Sequence, residues 1–391
     1  MIRLLISLVF VVFLINCQSN VSEFKEAEQI SKTVATQFIP DNREDLFRIS
    51  FSGKGSSLVV SGETTSPEAK QSLVSRLKDA EYTVVDSVRV LPDKSLGTKN
   101  RGLVSVSVCN IRITTTDRAE MVSQAILGTP VRLLKKSGAW YLIQTPDSYI
   151  GWTDDDALSL TDSTGMASWR NSKKIIYLPL SGTGINPETK EAVTDLVAGS
   201  ILKLAGTTSG TSILEMPDGR QIAIPEGEGM DFDQWKKRGD PSPSSLSFTA
   251  KTLMGRPYLW GGTSTKGVDC SGFVKTVFFM NGIILARDAS LQFRYGLATE
   301  PKNGYEKLKE GDLVFFGRKA EDNLPAKATH VGLYLGNGEY INSSGYVRQN
   351  SFDPAQKNYS KARADRWLGG RTILGSEGAK GIVRVRDHPW Y

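Results

Sequence analysis

The stretch GVDCSGF, residues 267–273, places a cysteine directly before an apolar run that is typical of a buried helix. The chain has only three cysteines and two histidines, so few residues could carry thiol chemistry. A thiol in the first turn of a helix meets free backbone N–H groups and partial positive charge, which favour the thiolate. We therefore predict that Cys270 is a nucleophile with a lowered pKa. It should react with iodoacetamide faster than Cys109, and faster than a model thiol at pH ~6.

A cysteine nucleophile needs a base, and only His330 and His388 carry an imidazole. His330 begins an apolar strand, whereas His388 lies three residues from the C-terminus, where we expect it at the surface. By elimination we predict that His330 is the base. The alternatives are a packed helix cysteine and a satisfied core histidine, or a disulfide between Cys109 and Cys270. Without such a bridge, Cys109 should be a small buried residue at the start of a strand.

Further motifs flank this pair in a recognisable order. YLWGG precedes the cysteine at 258–262, and ARDASLQ, LKEGDLVFF and THVGLYLGNGEYINSSG follow it at 286–292, 308–316 and 329–345. With these motifs, residues 247–391 resemble the NlpC-type (p-sixty) cell-wall cysteine peptidases, which have a reduced papain-like fold. The resemblance implies acyl transfer through a thioester at Cys270, followed by hydrolysis by water. It implies no metal or other cofactor, and the sequence shows no recognisable cluster of metal ligands.

A Cys–His pair also needs a group that holds the imidazole in one tautomer. The resemblance places a polar residue about twelve positions after the histidine, which here is Asn342. However, a two-residue hairpin turn at Asn337-Gly338 would put His330 and Asn342 on opposite faces of the sheet. Asn342 therefore requires a bulge or a longer loop, and Ser343 is the alternative.

The resemblance also implies the residues that surround the groove, namely Tyr258, Asp269, Ser271, Arg287 and Asp288. The backbone N–H of Cys270 would stabilise the oxyanion, with the Tyr258 hydroxyl beside it. Ser271 and Arg287 could contact a substrate carboxylate, and Asp288 could pair with an ammonium. Ordinary structural roles remain open for these residues, such as aromatic packing or a charge pair at a helix start.

A repeat precedes this region. VSQAILGTPVRLLKKSGAWYLIQTPD at 122–147 matches VTDLVAGSILKLAGTTSGTSILEMPD at 193–218 with a constant offset of 71 residues. Short alternating strands separated by glycine turns predict two small β-barrels. The first copy, with GAWYLIQTPDSYIGW at 138–152, resembles bacterial SH3-like domains, whereas the second lacks the aromatic residues at those places.

The remaining sequence predicts a small N-terminal α+β unit. Residues 24–39 predict a helix that ends before Pro40, and LFRISF and SLVVSGE predict a hairpin. Ser66 is a good N-cap for a second helix, and TVVDSVRVL predicts a third strand. A Pro/Ser-rich stretch at 236–245 predicts a linker.

Together these patterns predict an α+β protein in which a papain-like domain follows two SH3-like β-barrels. The predicted parts are a signal peptide at 1–16, a small α+β domain at 17–100, a first SH3-like domain at 101–160, a second, divergent one at 161–240, and a cysteine peptidase domain at 245–391.

The first fifteen residues, MIRLLISLVFVVFLI, have the layout of a signal peptide. LINC at 14–17 resembles the lipobox of bacterial lipoproteins, although Asn16 departs from the usual small residue. We expect lipid on Cys17, which would anchor an exported protein to a membrane facing the periplasm or cell envelope. The alternatives are an ordinary signal peptide cleaved nearby and an uncleaved anchor.

The resemblance implies hydrolysis of the γ-D-glutamyl–diamino-acid bond of peptidoglycan stem peptides, in cell-wall turnover or recycling. In such enzymes the first SH3-like domain can recognise the free amine of an N-terminal L-Ala, and Glu120 and Tyr149 are the candidates here. The alternatives are an amidase or acyltransferase on the same fold, or a non-catalytic wall-binding lipoprotein. We expect a monomer that binds muropeptides. We expect no binding of nucleic acid, because the net charge of +6 is spread thinly along the chain.

Overall fold

The structure is a computed structural model that describes residues 24–391, so the predicted signal peptide and Cys17 lie outside the described residues. The described chain forms two compact units. Residues 24–40 and 47–89 form the first unit, and residues 41–46 and 90–391 form the second. No helix in the described part of the chain is long and apolar enough to cross a membrane.

The first unit packs two helices against a three-stranded sheet of order β1-β2-β3. Its elements are α1 (Lys25–Phe38), β1 (Phe47–Lys54), β2 (Ser57–Thr64), α2 (Pro67–Asp79) and β3 (Thr83–Val90). The predicted helices and hairpin are confirmed. Ser66 caps α2 as expected, since its hydroxyl accepts the Ala69 N–H at 3.0 Å and Pro67 occupies the first helical position.

The second unit begins with two seven-stranded sheets. Their strands follow the same order when one sheet is read from the opposite edge. The first sheet has the order β10-β4-β7-β8-β9-β5-β6 and the second β13-β12-β16-β15-β14-β11-β17. The strands of the first are β4 (Arg101–Val104), β5 (Val108–Arg112), β6 (Met121–Ile126), β7 (Pro130–Ser137), β8 (Trp140–Gln144), β9 (Ile150–Asp154) and β10 (Leu158–Thr161). Helix α3 (Ser163–Asn171) connects the two sheets.

The second sheet confirms the sequence repeat strand by strand. Its strands are β11 (Lys174–Tyr177), β12 (Ser181–Ile185), β13 (Ala192–Val197), β14 (Ile201–Thr208), β15 (Thr211–Glu215), β16 (Gln221–Pro225) and β17 (Gly229–Asp231), followed by α4 (Phe232–Lys236). Strands β6 to β9 recur as β13 to β16 at the same offset of 71 residues. Even the register shift between Leu133 and Lys135 recurs, between Leu204 and Gly206.

The C-terminal region packs helices against a six-stranded sheet of order β21-β26-β22-β23-β24-β25. Its helices are α5 (Pro243–Thr252), α6 (Cys270–Met280), α7 (Ala289–Gln292) and α8 (Lys361–Ala364). Its strands are β18 (Thr263–Ser264), β19 (Gly267–Val268), β20 (Ile283–Leu285), β21 (Leu297–Thr299), β22 (Leu313–Arg318), β23 (Lys327–Gly336), β24 (Glu339–Ser344), β25 (Tyr346–Ser351), β26 (Trp367–Thr372) and β27 (Ile382–Arg384). The segment predicted as a linker is short, because Ser242 and Pro243 already start α5.

One apolar core joins α6 to this sheet. Phe273 and Val277 on the helix lie with Val331 and Leu333 of β23 in a single fully buried cluster. Burying side chains of this size stabilises the contact by about 1.5–3 kcal/mol each. The core thereby fixes the first residue of α6, Cys270, beside strand β23.

The first SH3-like region is tied to the C-terminal region by polar contacts. The Lys275 ammonium of α6 lies 2.8 Å from the fully buried Asp147 carboxylate. Nearby, the Thr263 N–H and hydroxyl donate to the side chain and carbonyl of Gln124 at 3.1 and 2.9 Å. These contacts hold the first SH3-like region next to the start of α6.

Candidate active site

Cys270 is the first residue of α6, and Asp269 is its N-cap. One carboxylate oxygen of Asp269 accepts the Gly272 N–H at 2.7 Å, and the other accepts the Gly261 N–H at 3.0 Å. The geometry of a helix start leaves the amides of Cys270 and Ser271 without intrahelical acceptors. The Cys270 amide is therefore available to a negatively charged oxygen that develops next to the sulfur.

His330 and Asn342 lie on one face of the sheet because of a bulge. The register shifts between Tyr334 and Gly336, so Leu333 pairs with Ile341 instead of Asn342. This shift reverses the parity that a regular hairpin would give and brings His330 Nε2 within 2.8 Å of Asn342 Oδ1.

Hydrogen bonds from its nitrogen fix the orientation of the Asn342 amide. Its Nδ2 donates to Asn350 Oδ1 at 2.9 Å and to the Arg348 carbonyl at 3.4 Å. The oxygen that faces His330 is an acceptor only, so Nε2 carries the proton and Nδ1 is left as the base. Ser343, the alternative orienting residue, instead donates to the Val268 carbonyl at 2.8 Å.

Burial decides the protonation of the Cys–His pair. Burial, and next the Asp269 carboxylate, raise the pKa of the Cys270 thiol to about 11, although the adjacent Val331 N–H acts in the opposite direction. Burial, and next the charge of Arg363, lower the pKa of His330 to about 3. The expected lowering of the thiol pKa is therefore wrong. The capping carboxylate offsets the positive helix end that the prediction relied on.

The other cysteine has the structural role expected of it. Cys109 is the second residue of β5, is 1% exposed, and its sulfur lies 2.8 Å from the Thr153 hydroxyl. Both Cys109 and Cys270 are free thiols, so the alternative of a disulfide between them is not realised.

Asp269, Ser271 and Arg287 form one buried network beside the cysteine. Arg287 is 1% exposed, and its guanidinium donates to both Asp269 oxygens, at 2.6 and 3.1 Å. It also donates to the hydroxyls of Ser271 at 2.9 Å and of Ser123 at 3.1 Å. Burial alone would raise the pKa of Asp269, but the charge and hydrogen bonds of Arg287, together with hydrogen bonds from Gly272 and Ser271, lower that pKa. The guanidinium thus has partners on most of its donors and braces the start of α6.

The remaining predicted residues line one pocket with Cys270. Asp288 accepts from Arg43 Nη1 at 2.7 Å and from the Tyr149 hydroxyl at 3.2 Å. Glu120 accepts from Trp260 Nε1 at 2.8 Å, and Trp260 is 61% exposed. The pocket is lined by Tyr258, Asp269, Cys270, Ser271, Arg287, Asp288, Glu120, Tyr149, Trp260 and Arg43, among others.

Sequence reasoning missed Arg43, which lies 245 residues from its partner Asp288. No local pattern marks it, because its neighbours form an irregular segment between α1 and β1. It also missed Arg348 and Arg363, whose charges act on His330.

His388 is placed away from this pocket. It is half-buried, since its Nε2 lies 3.1 Å from the Pro146 carbonyl and its ring contacts Trp390 and Tyr391 edge-on. His388 is therefore less exposed than expected. The residue packs the C-terminus and does not line the pocket around Cys270.

Within residues 24–391, one group of acidic side chains comes close enough to share a metal ion, namely Asp154, Asp155 and Asp156. These side chains already have local partners. Asp154 accepts the Asp156 N–H at 3.0 Å, and Asp155 pairs with Lys136 at 3.0 Å. The group belongs to the first SH3-like region and does not line the pocket around Cys270.

Two regions of the chain match known protein families. Residues 255–368 match the NlpC/P60 family, and residues 112–158 match the bacterial dipeptidyl-peptidase Sh3 domain. The first match spans Cys270, His330 and Asn342. The second spans Glu120 and Tyr149.

Curated relatives and solved structures agree with these matches. The chain is 30% identical over 237 residues to a gamma-D-glutamyl-L-lysine dipeptidyl-peptidase of Bacillus cereus, covering 58% of this chain and 68% of the relative. It is 26% identical to dipeptidyl-peptidase 6 of Lysinibacillus sphaericus, covering 62% and 88%. An NlpC/P60 family protein from Bacillus cereus has the same fold, with a TM-score of 0.60 and 22% identity, over 70% of this chain and 99% of that one. The chain therefore belongs to the NlpC/P60 family and carries a bacterial SH3-like domain ahead of its catalytic region.

Proposed function

We propose that this chain is a cell-wall cysteine peptidase that hydrolyses the γ-D-glutamyl–diamino-acid bond of peptidoglycan stem peptides with a free N-terminal L-Ala. The observation that carries the proposal is the 2.8 Å contact between Asn342 of β24 and His330 of β23, the strand that packs against the helix begun by Cys270. The name of the Bacillus cereus relative, a gamma-D-glutamyl-L-lysine dipeptidyl-peptidase, supports the choice of bond.

The proposed reaction starts from a neutral thiol and a neutral imidazole. His330 Nδ1 takes the thiol proton while the Cys270 sulfur attacks the γ-carbonyl carbon. The carbonyl oxygen becomes an oxyanion that accepts from the Cys270 amide and the Tyr258 hydroxyl. Burial raises the pKa of Tyr258 to about 12, so its hydroxyl keeps the proton that it donates.

The tetrahedral intermediate then collapses to a thioester. The imidazolium gives its proton to the leaving nitrogen, and the diamino acid departs as an amine. Water attacks the thioester with His330 as base, the Cys270 sulfur leaves and regains a proton, and L-Ala-γ-D-Glu is released. Asn342 holds the ring in the tautomer that both steps require.

The pocket offers two carboxylates to the free amine of L-Ala. Glu120 and Asp288 lie on its wall, and Asp288 also accepts from Tyr149 and Arg43. An ammonium is costly to bury without an anionic partner. The wall therefore suits a peptide that begins with L-Ala, as in stem peptides released from their glycan.

The bond and the substrate can be tested together by mass spectrometry. Free L-Ala-γ-D-Glu-diamino-acid peptides and intact sacculi would be digested by the full protein at equal peptide concentration. We expect L-Ala-γ-D-Glu from the free peptides and little release from sacculi. Cleavage at another bond, such as the amide that links L-Ala to the glycan, would support an amidase instead.

We further propose export and lipidation at Cys17, with the enzyme acting as a monomer at a membrane surface of the cell envelope. The signal-peptide layout and the LINC sequence support this placement. Mass spectrometry of the mature N-terminus would show a lipid-modified cysteine. A Cys17→Ser variant would lose that mass and the membrane association.

A further inference from the structure

Two arginines share the sheet face that carries His330 and Asn342. Arg348 is directly opposite Asn342 in the β24–β25 pairing, so both side chains leave the same side of the sheet. Ser344, two residues after Asn342, is on this face as well. The Ser344 hydroxyl accepts from Arg363 Nη2 at 3.2 Å, which brings the second guanidinium from α8 to the same place.

Neither arginine is neutralised by the protein. Among residues 24–391 neither forms an ion pair, and the acid closest to Arg363 along the chain, Asp365, pairs with Lys361 at 3.0 Å. The Nε of Arg348 is buried and has no acceptor within the described residues. By contrast, the buried Arg287 binds Asp269 through both oxygens. Partly buried cations with a spare buried donor are typical of a binding site for an anion.

The arginines lie on the leaving-group side of the proposed reaction. The leaving nitrogen must come within hydrogen-bond reach of His330, so the departing residue occupies the space around that imidazole. The charge of Arg363 acts on Cys270, His330 and Tyr258, and its guanidinium lies 5.9 Å from the ring of Phe316, which contacts His330. Neither Arg348 nor Arg363 lines the pocket that holds Glu120 and Asp288.

We propose that Arg348 and Arg363 form a subsite that binds a carboxylate of the leaving diamino acid. This inference rests on the proposed function and deepens it by naming what the enzyme selects after the scissile bond. A guanidinium suits this task because it binds a carboxylate through charge-assisted, bidentate hydrogen bonds. The groove would then be complementary in charge to its substrate, with acids for the amine at one end and arginines for the carboxylate at the other.

Two carboxylates could occupy the subsite, the α-carboxylate of the leaving residue or a second one on its side chain. A panel of four peptides separates them. L-Ala-γ-D-Glu would be joined to L-lysine or to meso-diaminopimelate, each with a free or an amidated α-carboxylate. We expect wild-type kcat/KM to be at least about tenfold higher for peptides with the recognised carboxylate, the scale of one charge-assisted hydrogen bond.

The variants Arg348→Gln and Arg363→Gln should abolish that preference, so that kcat/KM no longer differs between peptides with and without the recognised carboxylate. Arg366→Gln is the matched control for Arg363→Gln, because Arg366 is exposed and the substitution removes the same charge from the same segment. It should leave every ratio unchanged. Titration of the same peptides into the Cys270→Ala protein would report binding without turnover, and the unfolding midpoint of each variant would report its fold.

The outcomes separate the two proposals. A collapse of the diaminopimelate-to-lysine ratio assigns the side-chain carboxylate, and a collapse of the acid-to-amide ratio assigns the α-carboxylate. Either result supports the subsite. If wild type cleaves all four peptides equally, or if both variants lower all four rates equally, the subsite is wrong and the proposed function stands. If wild type cleaves none of them, the proposed function fails and the subsite fails with it.

Discussion

At the scale of residues, the Cys270–His330 pair could be found from the sequence, but the protonation of the two side chains could not. The scarcity of cysteine and histidine singles out Cys270 and His330. Their pKa values depend on burial and on the Asp269 carboxylate, which caps α6 and lies beside the sulfur. The positive end of α6 favours the thiolate, but the Asp269 carboxylate that caps the same end opposes it.

The pKa directions predict the pH dependence of activity. Because burial lowers the pKa of His330 to about 3 and raises that of Cys270 to about 11, the pair keeps one shared proton between these values. We expect kcat/KM to show no limb near the ordinary histidine pKa of about 6.5. Alkylation of Cys270 by iodoacetamide at pH ~6 should be slower than that of a model thiol. An acid limb near pH 6.5, or fast labelling at pH ~6, would contradict this assignment.

The contact between His330 and Asn342 predicts graded losses of activity. His330→Ala removes the proton acceptor and should reduce turnover to near background. Asn342→Ala keeps the acceptor but frees the ring, so we expect a loss on the order of a hundredfold in kcat. His388→Ala is the control and should retain nearly wild-type turnover, because His388 contacts Pro146 and not the pocket. An inactive His388→Ala protein with an unchanged fold would show that the base is misassigned.

At the scale of elements, the sequence predicts repeating patterns better than local irregularities. The offset of 71 residues predicts the bounds of β13 to β16 from those of β6 to β9. The bulge near Leu335 was only inferred as a requirement of catalysis, because GLYLGNGEY fits a regular hairpin equally well. Strand pairing is decided by contacts on both faces of the sheet, which one segment of sequence does not contain.

The start of α6 predicts a pH-dependent stability. Asp269→Asn keeps an acceptable N-cap but leaves the buried Arg287 without its anionic partner, so we expect a loss of about 3–5 kcal/mol in unfolding free energy at pH 7. The folded-state pKa of Asp269 is lowered. Its contribution is therefore present above the unfolded value and is lost as the pH falls through the folded value.

Denaturant unfolding of wild type and Asp269→Asn between pH 3 and 7 would measure this effect. The difference between the two proteins should shrink on acidification. Asp365→Asn, which breaks an exposed pair with Lys361, should leave the unfolding midpoint unchanged. A constant difference across the pH range would show that the lost stability does not come from the Asp269 charge.

At the scale of the whole molecule, three distant parts of the chain build one groove. Arg43, residues 120–149 and the C-terminal region all reach the pocket around Cys270. The family resemblance indicated Glu120 and Tyr149 because it brought the first SH3-like domain to the catalytic groove. Arg43 could not be predicted, because nothing in the local sequence indicates which surface residues 41–46 will contact.

The composite groove predicts a preference for a free amine. N-acetylation of L-Ala removes the ammonium, so we expect a loss on the order of a hundredfold in kcat/KM, or about 2–3 kcal/mol. Glu120→Gln should erase most of the difference between free and acetylated peptides. Glu191→Gln is the matched control, since Glu191 occupies the same place in the second repeat. Equal cleavage of free and acetylated peptides by wild type would show that the first SH3-like domain does not recognise the amine, and intact peptidoglycan would again be a candidate substrate.

The most direct measurement compares wild type with Cys270→Ala on L-Ala-γ-D-Glu-diamino-acid peptides, with products identified by mass spectrometry. A small residue at the start of α6 disturbs little packing, so the two proteins should unfold at the same midpoint. We expect wild type to release L-Ala-γ-D-Glu and the free diamino acid, and Cys270→Ala to release neither. Wild-type turnover by the folded Cys270→Ala protein would contradict the assignment of this chain as a cysteine peptidase.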